Sequence, residues 1–172
     1  MDFVVGSVIN VLKKEGERAG KIQLQKIIYF LEYLDVKIPY SFVISRYGPF
    51  SAELSEKINQ MENRQWIIRK DRSGTDYELN LEEEELENYE RQDFNEVSEK
   101  IKEVIDIFPS LSFRNLELYA TVHYCFDSLK LFYDNVENDI LVEEVKKYKD
   151  DKFREEDILD AYSILKKEKL LR

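Results

Sequence analysis

The stretch SAELSEKINQMENRQWIIRKDRSGTDYELNL, residues 51–81, decides how the chain is read. Ser51 stands where a helix N-cap belongs, and Leu54, Ile58 and Met61 then recur at helical spacing, which predicts a helix to about Asn63. Directly after it come two β-type segments, Trp66–Lys70 and Thr75–Leu81. They are joined by Asp71-Arg72-Ser73-Gly74, whose glycine can take positive φ in a tight turn. A helix running straight into a hairpin is the winged-helix arrangement, in which the hairpin is the wing and the helix before it often enters a groove of DNA.

Upstream, Phe3, Val4, Val8, Val11 and Leu12 form an apolar stripe that predicts a first helix over residues 2–14, with Gly16 as its stop. Leu24, Ile27, Ile28, Leu31 and Leu34 mark a second helix that ends before Pro39. Phe42, Val43 and Ile44, bounded by Pro39 and by Gly48-Pro49, predict a short strand within residues 41–46. That strand falls between helices two and three, where a winged helix more commonly has it between one and two.

Downstream, the acidic run Glu82–Glu90 opens a helix that continues through Phe94, Val97, Ile101, Val104, Ile105 and Phe108 to Pro109. A long helix after Ser112 carries Leu116, Tyr119, Ala120, His123, Phe126, Leu129, Leu131 and Phe132, the expected centre of a C-terminal core. Two further helices, Ile140–Lys149 and Arg154–Lys169, flank the polar turn Asp150-Asp151-Lys152 as a helical or helix-turn-helix-like pair. The expected fold is mainly α (α+β): a winged-helix-like unit over 1–81 with a small β-hairpin, followed by a helical lobe over 82–172 packed on it.

Of 172 residues 43% are hydrophobic, and 11 Tyr, 10 Phe and one Trp supply enough apolar surface to offset the cost of ordering the chain. The net charge of −10 is uneven: residues 1–81 carry +1 and residues 82–172 carry −11. Affinity for nucleic acid draws on Lys and Arg neutralising phosphates, so the second half is a poor DNA surface. No stretch reaches the roughly 20 apolar residues that span a bilayer, and the start has no signal-peptide pattern. Cys125 is the sole cysteine, which fits a reducing compartment; the expectation is a cytoplasmic protein.

Nothing in the sequence encodes recognisable catalysis. His123 and Cys125, two positions apart on one helix, point about 200° apart and read as core residues rather than as a base and nucleophile. The five glycines are isolated and match no phosphate-cradling loop. Consecutive helical carboxylates at Glu82–Glu85 fan around the axis instead of converging on a metal. No cofactor, metal or small-molecule ligand is implied, and the chain reads as a non-enzyme.

Two strings carry a resemblance. Lys21-Ile22-Gln23-Leu24-Gln25-Lys26-Ile27-Ile28-Tyr29-Phe30-Leu31, with Arg46-Tyr47-Gly48-Pro49-Phe50-Ser51-Ala52-Glu53-Leu54, resembles the YwgA-like family of bacterial and archaeal proteins. It is similar, more distantly, to the Panacea domain of antitoxins and phage-associated proteins, which has a comparable Leu-Gln-Lys helix and Tyr-Gly-Pro turn. Glu117–Tyr124 and the helix around Asp157–Leu171 fit the YwgA-like pattern too, although Arg154 stands where a small N-cap residue is expected before the last helix. The resemblance implies fold more than function.

The candidate contact residues are Lys21, Gln23, Gln25 and Lys26 on the second helix, Arg46 and Tyr47 before the Gly-Pro turn, and Arg69, Lys70 and Arg72 at the hairpin tip. Lys and Gln can donate to bases or phosphates, and Arg46 with Tyr47 can meet a peptide or a phosphate. The plainer reading of the first group is a solvated helix face, and of Arg46–Ser51 a structural turn in which Pro49 sits near a helix start. Glu53, Glu56 and Glu62 would repel a phosphate backbone from the third helix. The expected function is therefore a non-catalytic protein-interaction module, antitoxin- or adaptor-like, with a protein partner or a second copy as its ligand. DNA binding by a winged-helix regulator is the alternative. Exposure of Tyr29, Tyr33, Tyr40 or Tyr47 would favour the protein partner.

Overall fold

Asp2 starts the first helix by accepting the Val5 N–H on Oδ1 at 3.0 Å, satisfying one of the orphan donors of α1 (Phe3–Lys14). The structure is a computed structural model that describes residues 2–70, 76–82 and 94–171. Residues 71–75 and 83–93, which hold the expected turn Asp71–Gly74 and most of the acidic run Glu82–Glu90, lie outside the described residues. Residues Val5–Leu12 of α1 are all buried, so this helix is a core element on every side.

α2 (Lys21–Leu31) leads into a 3₁₀ turn, Glu32–Leu34. The helical stretch ends before Pro39, as expected: Asp35, with a left-handed φ of 63°, breaks it. Ser51 caps α3 (Ala52–Asn63) as expected, its Oγ accepting the Leu54 N–H at 3.2 Å. After Gln65, at φ 58°, β3 (Ile67–Arg69) pairs antiparallel with β4 (Tyr77–Leu79), with Ile67 opposite Leu79 and Arg69 opposite Tyr77.

The strand expected before Gly48 is half of a hairpin. β1 (Val43–Ser45) and β2 (Gly48–Phe50) pair antiparallel through the two-residue turn Arg46-Tyr47, and Gly48 takes φ 87°. Pro49 lies in β2 opposite Ile44, not at a helix start. A proline is tolerated there because the ladder has two strands and needs no donor on its outer edge.

The chain forms two compact units: residues Met1–Ser41 with Ser51–Asp106, and Phe42–Phe50 with Ile107–Arg172. The sequence division at residue 81 follows charge and element order; the compact units follow packing. In the first unit, Val8, Leu12, Leu24, Ile28, Leu54, Ile58, Ile67 and Tyr77 form a core to which α4 (Phe94–Ile107) adds Ile101 and Val104. In the second, α5 (Phe113–Lys130) is the central helix, flanked by α6 (Asn138–Lys149), α7 (Glu155–Lys167) and β2. The fold is thus mainly α, with two small antiparallel hairpins.

Leu131 and Phe132, expected in the core, are 80% and 81% exposed. Their N–H groups bond to Ser128 and Leu129 carbonyls in a closing turn that leads the chain off α5. Arg154 does precede α7, and Asp157 compensates for its lack of a capping oxygen. The Asp157 carboxylate accepts the Arg154 backbone N–H at 3.3 Å and its guanidinium at 2.9 Å.

One carboxylate ties β4 to the segment between α1 and α2. Asp76 pairs with Lys13 and accepts the Ala19 N–H at 2.9 Å, and Tyr77 N–H bonds to the Ala19 carbonyl at 3.1 Å. Burial works to raise the Asp76 pKa, but the Lys13 and Ala19 donors outweigh it and hold the carboxyl below its ordinary 3.8. Its stabilisation is complete above that value and is lost as pH falls through the lowered one. Asp76→Asn is expected to lower stability by about 1–2 kcal/mol at neutral pH, with the gap closing as the pH falls through the lowered carboxyl range. Urea unfolding of both proteins across that range checks it.

Candidate functional site

The second unit contains a carboxylate with no access to water. Glu117 lies on α5 with its side chain 0% exposed, and a charge so placed must be paired. Its Oε1 accepts Lys149 Nζ at 2.9 Å and its Oε2 accepts Lys152 Nζ at 2.6 Å. Lys149, the last residue of α6, is 1% exposed at its side chain and also donates to the Arg46 carbonyl at 2.5 Å. Four elements, α5, α6, the 3₁₀ turn Asp150–Lys152 and the β1–β2 turn, are fastened through this one carboxylate. Burial lowers the Lys149 ammonium below its ordinary 10.5, and the Glu117 partner opposes that shift.

Aromatic rings surround Lys152. Its ammonium lies 5.3 Å from the Phe113 centroid, 5.6 Å from Phe153 and 5.8 Å from Tyr47, within cation–π range of all three. Tyr47 and Phe113 meet edge to face at 5.5 Å. The Arg114 guanidinium holds the Lys152 carbonyl at 2.9 Å and lies over Phe153. Asp150, at φ 48°, lets the chain turn sharply out of α6 so that Lys149 and Lys152 reach the same carboxylate.

Above this network opens a cleft of about 440 Å³, lined by Arg46, Tyr47, Tyr148, Lys149, Asp150 and Lys152. Tyr47 is 47% exposed and Tyr148 43%. Arg46 projects from the turn with its guanidinium 5.7 Å from the Tyr47 ring and, among the described residues, no carboxylate partner. The local charge is positive in a chain of net −10: three cations and one carboxylate, Asp150, line the cleft, and Glu117 carries the one charge beneath it.

The sequence candidates divide sharply. Arg46 and Tyr47 are brought together with Lys149 and Lys152 at the cleft. Gln25 and Lys26 are buried, so they belong neither to a solvated face nor to a contact face. The Gln25 amide clamps the Ser51 backbone instead, accepting its N–H and donating to its carbonyl, both at 2.9 Å. Gln23 is half-buried, and Lys21 donates to Asn59 Oδ1 at 2.8 Å. Arg69 forms a two-point pair with Glu62, and Lys70 pairs with Glu78 at 2.8 Å. Arg72 lies outside the described residues. Of the four tyrosines singled out, Tyr29 and Tyr40 are buried and Tyr33 is half-buried; Tyr47 is the exposed one.

Glu117, Lys149 and Lys152 were missed. A single charged residue within the otherwise uncharged run Leu116–Val122 was the available signal, since a charge on an all-round buried helix has to find partners. His123 and Cys125 are buried, as read: His123 Nε2 lies 3.0 Å from the Leu170 carbonyl, and burial pushes the Cys125 thiol up to about 12. Among the described residues no three His, Cys, Asp or Glu side chains group to hold a metal ion, and no helix is long and apolar enough to cross a membrane.

Removing one partner of a buried pair strands the other. Glu117→Leu is expected to cost about 3–5 kcal/mol, because Lys149 is left buried and uncompensated. Adding Lys149→Met should recover a large part of that loss, which a double-mutant cycle of unfolding free energies measures. Comparison of the chain with known protein families and with curated proteins returns no match.

Proposed function

We propose that this protein is a non-catalytic protein-interaction module, adaptor- or antitoxin-like, whose second unit meets the partner while the first serves as a winged-helix-like scaffold. One observation carries the reading: Arg46, Tyr47 and Tyr148 stand exposed around one cleft, with Phe113 against the Tyr47 ring, over a network that fixes the turn from beneath. Tyr and Arg are the side chains that most often anchor interfaces, because they supply large contact area for little lost freedom. Leu131, Phe132 and Tyr133 add exposed apolar surface at the other end of α5, about 25 Å along the helix.

The winged-helix-like description draws on α3 passing directly into the β3–β4 hairpin, and the resemblance to YwgA-like proteins agrees with it. For a duplex-binding role, Arg69 and Lys70 would have to exchange Glu62 and Glu78 for phosphates, and Lys26 would have to leave the core. Those pairings weigh toward a protein partner.

A photo-crosslinking side chain substituted for Tyr47 tests this in cells. A discrete adduct of defined mass, lost with Arg46→Glu and absent when the crosslinker replaces the exposed Ile68, is expected. A diffuse smear equal at positions 47 and 68 would count against the reading.

A further inference from the structure

The ligand class of the cleft follows from its donors. An ammonium offers three N–H groups and a guanidinium five. Lys149 commits two of its three, to Glu117 Oε1 and the Arg46 carbonyl, and Lys152 commits one, to Glu117 Oε2. The Arg46 guanidinium has no acceptor among the described residues and stacks on Tyr47. Against this surplus of donors the lining presents one carboxylate, Asp150, and the single charge of Glu117 is already shared between two lysines.

The geometry points to an oxyanion site in this cleft, which takes a phosphate or carboxylate group borne by the partner protein. It deepens the interaction reading above and rests on it for the identity of the carrier. Arg46 contacts the anion with its planar fork, suited to two oxygens at once, and Lys152 adds a compact charge beside it. Lys149 is a positioning residue: it grips the Arg46 carbonyl and so sets where the turn holds the guanidinium. The rings of Tyr47, Phe113 and Phe153 exclude water from one side of Lys152, which strengthens its field at the site. Asp150 opposes an anion and, as an acceptor, favours a group that also brings a donor such as a peptide N–H.

The test is a titration of the ¹⁵N-labelled full chain with inorganic phosphate, and separately with acetate, at constant ionic strength. Amide shifts of Tyr47, Tyr148 and Asp150 and of the Arg46 side-chain Nε–H are followed. Saturable shifts confined to those groups are expected, with affinity at least fivefold weaker in Arg46→Gln. Arg46 is exposed, so that variant leaves the Glu117 network intact. Arg154→Gln, outside the cleft, should bind as the parent does. Saturation by phosphate alone assigns a phosphorylated group, and saturation by acetate assigns a carboxylate. Non-saturating shifts spread over surface lysines, or equal affinity in Arg46→Gln, would mean an adventitious ion only and overturn the site. Anion binding without a Tyr47 adduct would leave the site standing while removing the protein carrier. An adduct without anion binding would do the reverse.

Discussion

A carboxylate buried without water is the constraint on which the second unit depends. Glu117 cannot stay charged on a fully enclosed helix unless cations come to it, and two do, from the end of α6 and from the turn that follows. That requirement dictates the abrupt exit from α6 at Asp150, and it leaves Lys149 able to hold the Arg46 carbonyl as well. One charge thus sets the position of a hairpin turn more than 60 residues earlier in sequence. The cleft is a by-product of satisfying it: the two lysines line it together with Tyr148 and Asp150, and Arg46 and Tyr47 of the β1–β2 turn complete the lining.

A second anchor operates where the chain comes back from the β1–β2 hairpin. The Gln25 amide takes both backbone groups of Ser51, and Ser51 in turn caps α3. Three buried hydrogen bonds therefore fix the point at which α3 begins, just past the last residue of β2. A glutamine on a helix can face solvent, bases or backbone with equal chemical ease. Its neighbours in space, not its type, assign it to the backbone.

Periodicity disclosed most of the helices because burying one face of a helix leaves its spacing in the sequence. Leu54, Ile58 and Met61 mark α3 and are its buried residues. The reading failed where local pattern and packing diverge. Leu131 and Phe132 continue the apolar character of α5 but fall past its end, in the closing turn, and they face solvent. β2 was concealed because Gly48 and Pro49 usually punctuate structure; here the glycine takes a positive φ directly after the two-residue turn and the proline sits in the strand it opens. Of the site, Arg46 and Tyr47 were legible as an exposed turn, and the lysines and Glu117 were not.

The sequence by itself determined the mainly helical class, the Ser51 cap of α3, and the core roles of His123 and Cys125, since each depends on residues within a few positions of one another. Only the tertiary structure decided which charges are occupied and which are available. Arg69, Lys70 and Arg46 look alike as letters, yet the first two face Glu62 and Glu78 while Arg46 has no carboxylate among the described residues. The difference arises because an ion pair forms between groups close in space, and the contacts that bring Glu117 to Lys149 and Lys152 span 32 and 35 residues of chain. No local pattern encodes such a separation.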